Sequence, residues 1–218
     1  MGEWSLFFLW AGVCLAGLLV ALLGEYRGRA SLGMGGKVVA ATAYIVAALT
    51  LGAVESVYGR LMLLGMGFCW LGDLFLVSRQ SRLLFLFGLV SFLLGHVVYT
   101  IAFLARGVDP LVGLGALGLM SVFAWRVGAW LNPHVSQKMR VPVWLYVVAI
   151  SIMMVTAVGT HASESNIFIL LGATLFVLSD LTVARNRFVF PAFINRAMGL
   201  PVYFTGQLFL AASVAINL

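Results

Sequence analysis

Long apolar runs dominate the chain, and short charged or Gly- and Pro-rich stretches separate them. A helix needs roughly 20 apolar residues to cross the hydrocarbon core of a bilayer, and most of these runs approach that length. The pattern therefore predicts eight transmembrane helices joined by short connections, the longest being GEYRGRASLGMGG at 24–36. The predicted helices span 4–23, 38–54, 58–78, 83–104, 111–130, 143–159, 165–184 and 198–217.

The composition agrees with this pattern. The chain has 218 residues, of which 63% are hydrophobic and 9% charged, whereas about a quarter of the residues of a soluble domain are charged. We therefore expect an all-α membrane protein with a single transmembrane domain over residues 1–218. The start, MGEWSLFFLW, has no basic segment and is interpreted as the first membrane helix, not a cleaved signal peptide. Cys14 and Cys69 lie in predicted helices without CxxC or metal-type spacing, so no disulfide framework is predicted.

Basic residues fall mainly on one side of the predicted membrane. The odd-numbered connections, together with the adjoining end of the fifth helix at Arg126, hold 11 Lys and Arg residues, and the other side holds only Arg60 and Arg106. Because basic loops tend to stay in the cytoplasm, eight spans with both termini outside the cytoplasm are indicated, in the cell membrane. These loops also explain the net charge of +6. The sequence has no extended block of basic residues, so nucleic-acid binding is not indicated. The 11 residues are Arg27, Arg29, Lys37, Arg79, Arg82, Arg126, Lys138, Arg140, Arg185, Arg187 and Arg196.

One short pattern occurs twice, at an offset of 107 positions. The first copy is LLGMGFCWLGDLFLVSR at 63–79, and the second is LLGATLFVLSDLTVAR at 170–185. Each is an apolar run with a single carboxylate near its end, Asp73 or Asp180. Two four-helix halves, 1–108 and 109–218, related as a parallel repeat would explain this likeness. A chance similarity between two apolar helices is the alternative.

Asp73 and Asp180 are the candidate catalytic residues, because a carboxylate within a membrane helix usually marks a functional site. Burial and a like-charged neighbour both disfavour ionisation, so we expect one carboxyl group to be protonated and the other ionised. Such a pair supplies an acid and a base. Gly72 and Ser179 precede them and allow close approach, which predicts that both carboxyl groups face one cytoplasm-facing cavity. The alternative is a structural salt bridge to a nearby Arg.

Other polar side chains in the apolar helices are candidate substrate-binding residues. His96 and Tyr99 share one face of the fourth helix, and Tyr203 and Gln207 share one face of the last. Hydrogen bonds that only join helices are the alternative for both pairs. Lys37 lies at the predicted start of the second helix. It would either contact a lipid phosphate or only extend its side chain to the membrane interface. Two further candidate substrate-binding residues are Tyr44 and Tyr146, which would line a cavity. The alternative is that they belong to the aromatic belt at the membrane interface. HExxH, His clusters and GxSxG are absent, so no metal or serine-hydrolase site is predicted.

Taken together, these motifs resemble the YhhN-type integral membrane proteins, a family that includes lysoplasmalogenases. The family pattern has GD in one apolar helix, then GLxxFxxxHxxY, then GAxLFxxSD, and a final YxxxQ. This chain has LGD at 71–73, GLVSFLLGHVVY at 88–99, GATLFVLSDLTVARNRF at 172–188 and YFTGQ at 203–207. It departs at Val38, where the family usually has Pro, and at Cys69, where Ser is frequent.

The resemblance implies hydrolysis of the vinyl-ether bond of lysoplasmalogen to a fatty aldehyde and glycerophosphoethanolamine or glycerophosphocholine. It places the family's two aspartates at Asp73 and Asp180. The expected partners are a lysophospholipid and membrane lipids, with no cofactor and no nucleic acid. Three alternatives stay open: a proton- or cation-coupled transporter that uses the same Asp pair, an intramembrane aspartyl protease, and a structural or lipid-binding protein. The Asp helices are predicted to be continuous, which disfavours transport, and the second Asp lacks the GxGD form of the proteases.

Overall fold

Helices make up almost all of the computed structural model, which describes residues 2–76 and 81–215. Seven of the eight α-helices in this part are long and apolar enough to cross a membrane, and α3, which contains Arg60 and Asp73, is the exception. The protein is therefore an all-helical, multi-pass membrane protein. The eight-span count and the position of the termini stay predictions.

The helices are α1 (Glu3–Tyr26), α2 (Ala30–Thr50), α3 (Val57–Phe75), α4 (Arg82–Arg106), α5 (Pro110–Leu131), α6 (Gln137–Glu164), α7 (Ile167–Ala184) and α8 (Phe193–Ala212). A π-helical segment follows α7 at Arg185–Val189, and a 3-10 turn follows α8 at Ser213–Ala215.

The prediction that 24–36 is a connection is wrong. Helix α1 continues to Tyr26 and α2 begins at Ala30, so only three residues join them. The glycines that suggested a loop are contact points between the two helices instead. A Cβ atom on Gly24 would overlap the backbone of Gly33, and one on Gly36 would overlap the backbone of Ala21. Small residues allow such close approach of membrane helices.

Lys37 therefore lies about two turns inside α2 and not at its start. Helix α6 is also longer than the predicted 143–159, because Pro142, which suggests a helix start in the sequence, lies inside the helix. Helix α8 likewise begins five residues before the predicted position. The other helices agree with the prediction to within a few residues. Arg79, the predicted end of the third helix at 77–78 and the predicted end of the last helix at 216–217 lie outside the described residues.

The helices pack as four sequential hairpins, α1 with α2, α3 with α4, α5 with α6, and α7 with α8. Between hairpins, α2 packs on α3 and α8, while α6 packs on α7 and α4. Exchanging the two proposed halves converts the first set of contacts into the second, whereas the packing of α1 on α8 has no equally extensive counterpart between α5 and α4. The halves 1–108 and 109–218 and the single-domain assignment stay predictions. Helix α5 is peripheral, since its extensive contacts are with α6 alone.

Candidate active site

A cavity of about 540 Å³ reaches both predicted catalytic residues. Asp73 and Asp180 line the same cavity, and its volume is within the usual range of small-molecule sites. Asp73 lies two residues before the end of α3, and Asp180 lies four residues before the end of α7. The structure thus places on one cavity two carboxyl groups that are far apart in sequence.

The carboxyl group of Asp73 is held by Tyr203 of α8. Tyr203 donates a hydrogen bond of 2.8 Å to Asp73 Oδ2, and the Tyr44 hydroxyl lies 3.4 Å from the Tyr203 hydroxyl. Gln207 Nε2 donates to the Tyr203 hydroxyl at 3.4 Å, and Tyr99 donates to Gln207 Oε1 at 2.8 Å. A buried chain of hydrogen bonds from four helices therefore orients Tyr203 toward Asp73.

Asp180 has a different set of partners. Tyr146 of α6 donates a hydrogen bond of 2.8 Å to Asp180 Oδ2, and His96 Nε2 of α4 lies 3.5 Å from the same oxygen. The His96 ring packs between aromatic rings, 5.1 Å from the Tyr146 centroid and 4.6 Å from the Phe176 centroid. In residues 2–76 and 81–215, neither ring nitrogen of His96 has a hydrogen-bond partner of standard geometry. The aromatic rings and Asp180 therefore set its orientation.

The seven predicted substrate-binding residues divide into two groups. Three of them line the cavity, namely Lys37, Tyr146 and Tyr203. The other four are fully buried behind its wall, namely Tyr44, His96, Tyr99 and Gln207. Through the contacts described above, this second group positions Tyr203 and Asp180. The substrate contact predicted for its members stays a prediction.

Charged side chains from α1, α2, α8 and the π-helical segment form part of the cavity wall. Glu25 Oε1 lies 3.6 Å from Lys37 Nζ, and Glu25 Oε2 lies 3.3 Å from Arg196 Nη1. Arg187 lines the same cavity, with its guanidinium 4.2 Å from the centroid of the Phe85 ring. Sequence reasoning missed Glu25, Arg187 and Arg196 as site residues, because it used them only to assign topology. Glu25 carried one usable signal, since it is an acidic residue within a connection that is otherwise basic and predicted to be cytoplasmic.

An apolar wall from α5 and α6 completes the cavity. Sequence reasoning missed these residues too, because they have the same side-chain types as the lipid-facing positions around them. They are Phe123, Val127, Leu131, Val143, Val147 and Ile150. The cavity therefore offers a charged wall, an apolar wall and two carboxyl groups, the combination that an amphiphilic ligand requires.

No metal site is formed by the part of the chain that the structure describes, in which no three His, Cys, Asp or Glu side chains are grouped to hold an ion. Cys14 and Cys69 are both free and buried. The titratable groups at or next to the cavity include the two carboxyl groups and their tyrosine and histidine partners. Such groups can move protons and stabilise a positive charge.

Comparison with known proteins identifies the family. The YhhN family model matches residues 32–214. Lysoplasmalogenase TMEM86A from Bos taurus and its counterpart from Homo sapiens are each 32% identical over 155 residues, which cover 68% of this chain and 62% of the relative. A lysoplasmalogenase from Mycobacterium tuberculosis is 31% identical over 150 residues, covering 67% of this chain and 54% of the relative. The match thus spans less than two thirds of these relatives. No solved structure matches the chain. The family model covers most of the sequence and includes both aspartates, and the chain belongs to the YhhN family.

Proposed function

We propose that this protein is a membrane lysoplasmalogenase, which hydrolyses the vinyl-ether bond of a lysoplasmalogen. The observation that carries the proposal is that Asp73 and Asp180 line one cavity with both a charged and an apolar wall. The similarity to proteins named lysoplasmalogenase supports the choice of substrate. The products are a fatty aldehyde and a glycerophospho-alcohol such as glycerophosphoethanolamine or glycerophosphocholine.

The cavity suits a phospholipid with one chain. Lys37, Arg187 and Arg196 present cationic groups for the phosphate, and charge-assisted contacts to phosphate are among the stronger hydrogen bonds. The alkenyl chain lies against the apolar wall from α5 and α6. In this placement the vinyl ether, which joins chain and head, lies in the cavity that both aspartates line.

The proposed reaction begins with transfer of a proton from one aspartic acid to the alkenyl carbon that does not carry the oxygen. This step produces an oxocarbenium ion, which the second aspartate stabilises as an anion. Water then adds to the cation and gives a proton to the second aspartate, forming a hemiacetal. In the last step that proton goes to the leaving oxygen while the first aspartate recovers a proton from the hemiacetal hydroxyl. The hemiacetal thereby splits into aldehyde and alcohol, and both aspartates regain their initial states.

The hydrogen-bonded neighbours of the aspartates have positioning roles in this scheme. Tyr203 fixes Asp73, and Tyr146 with His96 fixes Asp180. Pre-oriented groups lower the barrier because they need no reorganisation during the reaction. Glycosidases also use two carboxyl groups to handle an oxocarbenium-like transition state.

The proposal includes a topology of eight spans with both termini outside the cytoplasm. The basic connections then lie on the cytoplasmic side, where Arg187 and Arg196 line the cavity. A transporter has no observation in its favour: α3 and α7 continue without a break through Asp73 and Asp180, whereas transporter sites typically use discontinuous helices.

Aldehyde release from a lysoplasmalogen by the purified full chain in detergent, with EDTA present, tests the function. We expect release by the wild type and a loss of about 10²- to 10⁴-fold in Asp73→Asn and in Asp180→Asn, the range typical of acid–base groups. Glu3→Gln, which removes an exposed carboxylate at the start of α1, is the matched control and should retain wild-type rates. All variants should melt like the wild type. Folded wild-type protein that releases no aldehyde would contradict the proposal.

A further inference from the structure

We infer that the lipid chain reaches the active-site cavity sideways from the bilayer, through a groove between α5 on one side and α7 with α8 on the other. The groove is a second cavity of about 370 Å³. It is formed by Arg126, Val127 and Trp130 of α5 and by residues of α7, the π-helical segment and α8. The identity of the lipid rests on the proposed function, whereas the path rests on the packing of the helices.

The groove and the active-site cavity share part of their walls. Four residues line both of them: Val127, Leu181, Thr182 and Asn195. Asp180 directly precedes Leu181 on α7 and lines the larger cavity. A chain that enters the groove therefore needs to pass only this shared wall to reach the carboxyl group.

The two sides of the groove differ in how firmly they are packed. Helices α7 and α8 lie in close contact, because a Cβ atom on Gly172 would overlap Leu210 and one on Gly199 would overlap the Thr182 side chain. Helix α5, by contrast, has its extensive contacts with α6 alone. Separation of α5 from α7 and α8 disturbs the apolar cluster that Val127, Trp130 and Leu131 join, but it breaks no close packing of helix backbones like that between α7 and α8. We therefore place the opening at this boundary.

The chemistry of the groove selects an amphiphile with an anionic head. Its walls are largely apolar, and Met198 is 59% exposed on the α8 side. Two exposed arginines, Arg126 and Arg185, lie at the groove, and Arg185 Nη1 donates a hydrogen bond of 2.6 Å to Asn195 Oδ1. During entry, a hydrocarbon chain fits between these walls while its phosphate lies beside the two arginines, before the phosphate reaches the cationic groups of the active-site cavity. The occupant is accordingly the single chain of a phospholipid delivered from the membrane.

Reversible blocking of the groove tests the path. Met198 lines the groove but not the active-site cavity, and Met198→Cys can be labelled selectively, since both native cysteines are buried. The variant is treated with a bulky methanethiosulfonate reagent, which reductant removes. The matched control is Leu119→Cys on α5, a position 76% exposed and outside the groove. Turnover is compared for a long-chain lysoplasmalogen and for a short-chain, water-soluble analogue.

We expect labelled Met198→Cys to lose about tenfold in kcat/KM for the long-chain lipid, which corresponds to about 1.4 kcal/mol. The short-chain analogue should keep its rate, reductant should restore the long-chain rate, and labelled Leu119→Cys should behave like the wild type. Unchanged long-chain turnover, or an equal loss for both substrates, would overturn the inference.

Binding of a saturated alkyl-ether lysophospholipid, which has no vinyl ether to cleave, separates this inference from the proposed function. Its association rate should fall about tenfold when Met198→Cys is labelled. If the rate falls while the wild type releases no aldehyde from lysoplasmalogen, the access path stands and the proposed reaction fails. If the association rate does not change, the access path is wrong regardless of turnover.

Discussion

Tyr203 donates a 2.8 Å hydrogen bond to Asp73 Oδ2 across 130 positions of the chain. His96 approaches Asp180 at 3.5 Å in an equivalent way, because 107 positions separate the two aspartates and the same number separates the two partners. In each pair, an aspartate from one proposed half meets a side chain from the other half. Two related halves that enclose one cavity would produce such crossed pairs, which supports the proposed repeat.

The hydroxyl of Tyr203 should matter for turnover and little for folding. In Tyr203→Phe, the ring contacts with Phe92, Phe176 and Phe204 persist, but the hydrogen bond to Asp73 is lost. We expect kcat to fall about a hundredfold, as for a catalytic group that is misplaced by a small distance, with a melting temperature close to that of the wild type. Tyr26→Phe, at a position 75% exposed, is the control and should not change kcat. An unchanged kcat in Tyr203→Phe would show that the Tyr203 hydroxyl does not position Asp73 for catalysis.

His96 and Tyr146 should act as a unit, because both contact Asp180 Oδ2. A double-mutant cycle with His96→Phe and Tyr146→Phe measures their coupling. We expect each single variant to lower kcat, and the double variant to lose less than the product of the two effects, with a coupling energy of about 1 kcal/mol or more. The control pairs His96→Phe with Tyr44→Phe, which acts on Asp73 through Tyr203, and its effects should multiply. Multiplicative effects in the first cycle would mean that Asp180 does not connect the two residues.

Close packing of α1 on α2 should make one of two adjacent glycines sensitive to a single methyl group. In Gly36→Ala the new Cβ atom would overlap the backbone of Ala21, whereas in Gly35→Ala it would meet nothing within 4 Å. We expect Gly36→Ala to lower the free energy of unfolding by about 1–3 kcal/mol through overpacking. Gly35→Ala should leave it unchanged or raise it by up to about 1 kcal/mol, since Ala is the better helix former. Equal melting temperatures would show that α1 and α2 do not approach this closely.

Labelling of single cysteines in intact cells tests the proposed topology. Arg29→Cys lies in the connection between α1 and α2, and Glu55→Cys lies between α2 and α3. With both termini outside the cytoplasm, a membrane-impermeant maleimide should label Glu55→Cys from outside and Arg29→Cys only after lysis. The native cysteines are buried and should stay unlabelled. The reverse pattern would place the charged wall of the cavity on the outer side.

The sequence by itself determined the helical membrane architecture and the identity of the central carboxyl groups. An apolar run of membrane-spanning length predicts a helix from the local sequence alone, whichever helices pack against it. Asp73 and Asp180 could be recognised because a carboxylate is conspicuous in an apolar helix. The same reasoning found Tyr203 and His96, which the structure places next to these aspartates. Motif order also led to the YhhN family, and the family model confirms it.

Only the tertiary structure decided which helix faces meet. The glycines at 24–36 look like a loop in the sequence, and their role becomes clear only when α1 lies against α2. Glu25 and Arg196 join the cavity because α1 and α8 converge there, and Val127 lines it because α5 stands apart from α7. An apolar side chain is equally favourable against lipid, in a packed core and on the wall of a ligand cavity. Its type therefore carries no information about which of the three it faces, and the packing of the helices supplies that information.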